Sequence, residues 1–148
     1  MSAVDLSFDK SCRLHLKSMV DNLFSRGKTF YDFPLRLTWI ALSQEEADSL
    51  FRAGCPADVG ALQMLVTVPK KKRRRAVDRG LMRRRIREAY RINRRPLEDL
   101  ACSCPGIRTL QLAFIYLKNE NADYAEIERK MRALLAKVAV ALDSAHEG

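Results

Sequence analysis

The spacing of apolar residues along the chain predicts three amphipathic helices. The first covers about residues 11–26 and ends before Gly27, a residue type that commonly stops helices. The second covers residues 76–93, and the third follows Asp123, which we expect to form a capping pair with Glu126. The apolar face of the third helix consists of Ile127, Met131, Leu134, Leu135, Val138 and Leu142. Each helix therefore has one face to bury against another element.

Between these helices, three segments predict β-strands. Residues 34–42 alternate apolar and polar positions, and residues 61–68 are rich in Leu, Met and Val before Pro69 ends the run. Residues 109–117 are apolar at nearly every position, which predicts a central strand buried on both faces. Residues 44–52 predict a helical turn within the polar connection that joins the first two strands.

The predicted order of helix, strand, strand, helix, strand and helix indicates the fold class. A sheet of three or four strands packed on helices gives an α+β protein built as a two-layer sandwich. The 148 residues fit a single domain, 1–148, with an ordered core from about residue 11 to residue 146. No apolar run is long enough to span a membrane and the first ten residues lack a signal sequence, so we expect a cytoplasmic protein.

Positive charge is concentrated in residues 70–95, which we call the basic segment. It contains 14 Lys or Arg residues and only two acids, Asp78 and Glu88, so its formal charge is +12. The rest of the chain has 13 basic and 16 acidic residues, which gives −3. Because the positive field originates in one segment, the expected partner is a polyanion bound at that place.

Within the predicted helix of the basic segment, apolar and cationic residues fall on separate stripes. Met82, Ile86, Ala89 and Asn93 share an anchor stripe, with Tyr90 at its edge. The neighbouring stripe consists of Arg79, Arg83, Arg87, Arg91 and Arg94. This spacing places a guanidinium about every 6 Å along the helix, comparable to the phosphate spacing of a nucleic acid. Solvated helices usually alternate Glu with Lys, so the near absence of acids favours a nucleic-acid partner.

Other partners and chemistries fit the sequence less well. A helix lying on a membrane needs large apolar side chains opposite its charges, and a DNA-reading helix presents Asn or Gln to base edges. Nuclear-import tags are usually flexible, whereas this run continues into a patterned helix. The two acids of the basic segment lie ten residues apart, so no carboxylate cluster predicts a catalytic or metal site in the protein. Zinc-site spacing is lacking among Cys12, Cys55, Cys102 and Cys104, and His15 and His146 are isolated.

The residues that lead into the basic helix resemble a known family signature. The sequence reads VTVPKK at 66–71, AVDR at 76–79 and RRRIREAYR at 83–91. It is similar to the bacterial ribonuclease P protein family, in which V-S/P-K-K/R precedes A-V-x-R-N-R-x-K-R-x-x-R-E. The resemblance covers about residues 13–142. In the family's R-N-R core the first Arg is kept as Arg79, whereas Gly80 and Leu81 replace the Asn and the second Arg.

The resemblance implies that the protein is the accessory subunit of a ribonucleoprotein endoribonuclease, a hydrolase that removes the 5′ leader from precursor tRNA. Its partners would be the ribonuclease P RNA and precursor tRNA, and neither a membrane nor DNA is expected. The RNA would carry out hydrolysis with Mg²⁺ held mainly by its phosphates, so we expect no catalytic residue in the protein and no cofactor bound by the protein alone. The family fold also implies a left-handed βαβ crossover, against the general right-handed rule. The alternative is a non-catalytic, ribosome-associated or other structured-RNA-binding protein.

Matching the motif position by position gives candidate site residues. The expected contacts with the catalytic RNA are Lys70, Lys71, Arg79, Arg83, Arg84, Arg87 and Arg91. The candidates for a cleft that holds the leader are Val20, Phe24, Phe30, Arg36 and Thr38. Phe24 could stack on an unpaired base, with core packing as the alternative. We expect Glu88 to pair with Arg84 or Arg91 rather than to act in catalysis.

Overall fold

The computed structural model of the protein describes residues 17–50, 54–55 and 59–147, with side chains as far as Ser144. Its helices are α1 (Lys17–Arg26), α2 (Gln44–Ser49), α3 (Ala76–Asn93), α4 (Arg95–Ser103) and α5 (Tyr124–Glu147). Its strands are β1 (Lys28–Asp32), β2 (Leu35–Leu42), β3 (Leu62–Thr67) and β4 (Thr109–Tyr116). The predicted first turn of the opening helix (11–16) and the end of the predicted helical turn (51–52) lie outside the described residues.

The four strands form one mixed sheet in the order β1-β2-β4-β3. β2 pairs antiparallel with both β1 and β4, whereas β3 runs parallel to β4. All eight residues of β4 are buried, which confirms the prediction of a central strand at residues 109–117. The parallel pair requires a crossover connection, and α3 and α4 supply it. The basic helix is therefore the crossover helix of a βαβ unit, as the resemblance implies.

The two faces of the sheet are named here after the helices that cover them. On the α5 face, alternate residues of the strands pack beneath α3, α4 and α5 to form the larger core. That face presents Leu35, Leu37, Trp39, Leu62, Met64, Val66, Leu110, Leu112, Phe114 and Tyr116. On the α1 face, Met19 and Leu23 of α1 pack with Leu42, Ala47 and Ala113. The predicted α+β sandwich is confirmed, and α1 with α2 adds a partial cover on its second face.

Two elements escape the sequence pattern for physical reasons. β1 is an edge strand with no buried residue, so its sequence shows little apolar alternation, although it pairs with β2 from Lys28↔Trp39 to Asp32↔Leu35. The second element is α4, which follows α3 directly. Pro96 lies in its first turn, where a missing N–H breaks no helical bond.

One position of α3 is open to stabilisation. A Cβ atom added at Gly80 would meet nothing within 4 Å, and the residue lies inside a helix. We therefore expect Gly80→Ala to raise the free energy of unfolding by about 0.5–1 kcal/mol, measured by urea denaturation.

Gly27→Ala is the matched control, since its Cβ would lie 2.4 Å from the Leu23 carbonyl oxygen and 2.9 Å from Thr38 Cγ2. That variant should lose stability because α1 must move away from the sheet. Stabilisation by both substitutions would contradict this account of helix packing.

Candidate RNA interface

The anchor stripe of α3 holds the basic helix on the protein core. The buried residues of this stripe are Met82, Ile86, Ala89 and Tyr90, as the helical spacing predicts. The Tyr90 ring packs edge-on against the Phe114 ring, with 5.9 Å between the ring centroids. Asn93 continues the stripe by donating hydrogen bonds from Nδ2 to the Ala89 carbonyl (2.8 Å) and to Glu128 Oε2 of α5 (3.2 Å). One side of α3 is thus fixed against α5 and the sheet, and the other side faces solvent.

Some cations of the basic segment have structural partners, and we call the first such group the loop clamp. Its members are Arg73 from the β3–α3 connection, Asp78 and Arg79 from the start of α3, and Asn119 and Asn121 from the β4–α5 connection. Arg73 donates to the Asn119 carbonyl at 2.6 Å and pairs with Asp78 at 3.1 Å. Asn121 Nδ2 donates to the other carboxylate oxygen of Asp78 at 3.2 Å. The clamp joins two connections that are more than forty residues apart in sequence.

Arg79 belongs to the clamp and not to a row of freely exposed cations. Its Nη1 donates to the backbone carbonyls of Arg73 (3.1 Å) and Arg74 (2.7 Å), which turns the side chain back onto the loop. Arg85 is also engaged, because it donates to the Ala122 carbonyl before α5. The guanidinium of Arg79 thus helps to hold the shape of the loop, and its contact with RNA stays a prediction.

Glu88 pairs with Arg91, one of the two partners expected for it. Arg91 Nε donates to Glu88 Oε1 at 2.9 Å, and the same two side chains form an ion pair. The hydrogen bond from Arg91 holds the pKa of the Glu88 carboxyl below its usual value. Since Arg91 is satisfied within α3, its charge is partly neutralised and it is a weaker candidate for a phosphate contact.

Seven other cations of the basic segment form the set that we call the free cations. Among the described residues, their side chains have no hydrogen-bond or ion-pair partner. The set consists of Lys70, Lys71, Lys72, Arg74, Arg75, Arg83 and Arg84. Four of them (Lys71, Lys72, Arg74 and Arg75) line a cavity of about 580 Å³ with Arg73, Asp78 and Asn119. The loop clamp thus forms one wall of a concave, positively charged surface at the start of α3.

Four of the five predicted cleft residues lie on or beside the α1 face. Ser18 and Arg26 of α1 contact the α2 segment, through the Leu50 carbonyl and Glu46. Val20 and Phe24 lie on the opposite side of α1, at the helical angle that points away from α2. Val20 packs against the smaller core, whereas Phe24 keeps 43% of its surface exposed.

The sheet beside α1 offers a row of residues that the sequence pattern reveals only in part. Strand register places Tyr31, Arg36, Ile115 and Thr67 side by side across all four strands on the α1 face. Tyr31 is 63% exposed, and the Nε of half-buried Arg36 has no hydrogen-bond partner among the described residues. Tyr31 was missed because it belongs to the edge strand β1. The row and Phe24 together give the α1 surface two exposed aromatic rings, Tyr31 and Phe24.

Two other predicted cleft residues do not reach this surface. Thr38 is only 4% exposed, and its hydroxyl shares a 3.2 Å hydrogen bond with the Thr29 hydroxyl. Phe30 pairs in register with Leu37, so its ring lies on the α5 face. There it stacks on the Trp39 ring, with 6.2 Å between the ring centroids. Phe30 is therefore separated by the sheet from Val20 and Phe24, and the prediction that groups them is corrected.

Metal-binding clusters and membrane-spanning helices are both lacking in the described part of the chain. It contains no group of three or more His, Cys, Asp or Glu side chains placed to hold a metal ion. It also contains no helix with the length and apolarity needed to cross a membrane.

Comparison with known proteins identifies the family. A model of the family described as Ribonuclease P matches residues 8–139. The chain belongs to the ribonuclease P protein family. Two relatives from strains of Porphyromonas gingivalis, both named ribonuclease P protein component, are 35% and 33% identical to it. The matches cover 88% and 93% of this chain and 85% and 90% of those relatives.

Solved structures of ribonuclease P proteins share the fold. The Staphylococcus aureus protein superposes with a TM-score of 0.58 at 16% identity, over 88% of this chain and 96% of its own. The Thermotoga maritima protein gives 0.58 at 18% identity, over 84% and 96%. As a ribonuclease P protein component, this chain is an accessory subunit of a tRNA-processing ribonucleoprotein endoribonuclease and associates with ribonuclease P RNA.

The different roles of neighbouring arginines can be separated by stability measurements. Arg79→Gln removes the hydrogen bonds to the Arg73 and Arg74 carbonyls, so it should lower the free energy of unfolding by about 1–2 kcal/mol. Arg83→Gln makes the same charge change without losing a partner and should stay within about 0.5 kcal/mol of the parent. Equal losses in chemical denaturation would contradict a positioning role for Arg79.

Proposed function

We propose that the free cations bind the catalytic RNA, and that the α1 face binds the 5′ leader of precursor tRNA. The observation that carries the proposal is the set of seven cations without partners among the described residues, presented on a helix and loop fixed to the core. Each Lys or Arg that neutralises a phosphate releases condensed counterions, which drives association. The proposal includes Arg87, which is exposed on α3, and gives Arg79 and Arg91 supporting roles.

The arrangement also supports a division of labour between protein and RNA. We propose that hydrolysis belongs to the RNA, with Mg²⁺ held by RNA phosphates, and that the complex acts in the cytoplasm. The protein would contribute binding and orientation, since holding the leader beside the cleavage site makes an encounter between separate molecules effectively unimolecular. No step of the reaction requires a proton transfer from a protein side chain.

The α1 face suits a single-stranded leader. Aromatic rings can stack on any base, which gives affinity without strict sequence preference. Phe24 and Tyr31 supply exposed rings, and Arg36, the strand partner of Tyr31, supplies a cation with an unused Nε donor. An extended leader lying across the row of Tyr31, Arg36, Ile115 and Thr67 would meet stacking, charge and apolar contacts in turn.

The central experiment measures cleavage directly. Purified protein, ribonuclease P RNA and precursor tRNA are combined at low Mg²⁺, where the RNA alone is slow. We expect the protein to stimulate release of the leader. A rate equal to that of the RNA alone would overturn the proposal and favour a non-catalytic RNA-binding role.

The RNA-contact prediction concerns the pair Arg83→Gln and Arg84→Gln. Losing two phosphate contacts should weaken binding to the ribonuclease P RNA and make the slope of log K against log salt shallower by about 1.4–1.8. The matched control is Lys17→Gln with Arg129→Gln, which removes two exposed charges outside the basic segment. An unchanged slope in the first pair, or an equal change in the control, would place the contact surface elsewhere.

The leader prediction concerns Phe24. Because the loss of one stacked base costs about 1–3 kcal/mol, Phe24→Ala should weaken binding of precursor tRNA to the assembled complex by about 5- to 150-fold. Binding of mature tRNA, which has no leader, should be unchanged. The control is Val140→Ala on α5, another exposed apolar side chain with 66% of its surface accessible. Equal losses for precursor and mature tRNA would mean that Phe24 serves only packing.

A further inference from the structure

A second cavity lies outside the basic segment and outside the proposed leader surface. It has a volume of about 180 Å³ and is lined by Arg26, Lys28, Trp39, Ile40, Ala41 and Leu142. Pairing of β1 with β2 begins at Lys28↔Trp39, whereas β2 continues to Leu42 and pairs with β4 throughout. Within the described residues, the last three residues of β2 therefore have no strand partner on one side. The cavity lies at this edge, between the end of α1 and the later part of α5.

Trp39, one of the lining residues, has a buried N–H donor without a hydrogen-bond acceptor among the described residues. The residue is only 4% exposed, and its Nε1 hydrogen has no acceptor among the described residues. The indole is held by the stacked Phe30 ring and by Lys28 Nζ, which lies 5.6 Å from the ring centroid. A buried donor without a partner costs about 1–3 kcal/mol. Because Nε1 itself has almost no accessible surface, a ligand acceptor in the cavity would recover that cost after a small shift of the indole ring.

The charges beside the cavity are both positive and both available to an anion. Lys28 is exposed, and Arg26 forms only a solvent-exposed ion pair with Glu46 at 3.3 Å. Such surface pairs contribute little to stability, so Arg26 can exchange its partner at small cost. Ile40, Ala41 and Leu142 supply apolar walls. The lining thus combines an apolar interior, one hydrogen-bond donor and two cations.

The size of the cavity restricts what fits inside it. An apolar cavity of roughly 150 Å³ holds one benzene molecule, so 180 Å³ holds one six-membered ring. We propose that this cavity binds a single pyrimidine nucleotide, with the ring inside, a carbonyl oxygen on Trp39 Nε1 and the phosphate on Lys28 and Arg26. The inference rests on the proposed function, in which the nucleotide is an unstacked residue of bound RNA. It gives the protein an RNA contact that is separate from α3.

The protein carries its own probe for this site, because Trp39 is its only tryptophan. Purified protein without RNA is titrated with uridine 5′-monophosphate while tryptophan fluorescence is followed. We expect a saturable change. Lys28→Gln should weaken the apparent affinity about tenfold, which is the loss of one charge-assisted hydrogen bond of ~1.4 kcal/mol. Lys17→Gln, an equal charge change at the start of α1, should leave the affinity unaltered.

Two further titrations distinguish a nucleotide site from a simple anion site. Inorganic phosphate at the same concentrations should give a much weaker response, and an equal response would overturn the nucleotide proposal in favour of a simple anion site. Ala41→Ile fills the cavity without changing charge and should abolish the response. The absence of a saturable change in the parent protein would also overturn the proposal. Since the titration contains no RNA, its failure is distinct from a failure of the leader-cleavage assay.

Discussion

Burial of one stripe of α3 is the constraint on which the rest of the structure depends. A segment with a formal charge of +12 repels itself, and such a helix has little reason to form in isolation. Met82, Ile86, Ala89 and Tyr90 fix it to the core. Burial of four side chains is worth several kcal/mol, which exceeds the few tenths that each exposed like-charge pair costs. The core therefore tolerates a cationic surface, and under the proposed function RNA binding would relieve the remaining repulsion.

The loop clamp fixes the connection that precedes α3, as the buried stripe fixes the helix itself. A flexible chain of six basic residues would lose conformational entropy on binding RNA. Arg73 and Arg79 reduce that loss by tying the loop to Asp78, to Asn119 and to the backbone before binding occurs. The basic segment is thus divided into cations that hold the surface in shape and cations that, in the proposed function, contact the RNA. The loop is therefore held in shape before binding, which lowers the entropic cost of forming the complex.

Much of the fold follows from the sequence, because apolar periodicity records which faces are buried. The bounds of α3 are those predicted, and the three predicted strands differ from β2, β3 and β4 by at most one residue at each end. The roles of individual arginines do not follow. Arg79 and Arg83 are equivalent in a helical projection, and only the tertiary position of two loop carbonyls separates them. Phe24 and Phe30 are likewise both aromatic, but strand register sends Phe30 to the opposite face.

The departure from the family motif at Gly80 and Leu81 can now be interpreted in physical terms. Leu81 packs against the larger core, so the position that carries the second Arg in the motif contributes apolar contact instead of charge. Gly80 presents no side chain to the RNA. Of the arginines that could replace the missing charge, Arg73 and Arg85 are bound to the β4–α5 connection, whereas Arg74 and Arg75 have no partner among the described residues. Any compensation must therefore come from the loop before α3, which shifts the centre of positive charge toward the N-terminal end of the helix.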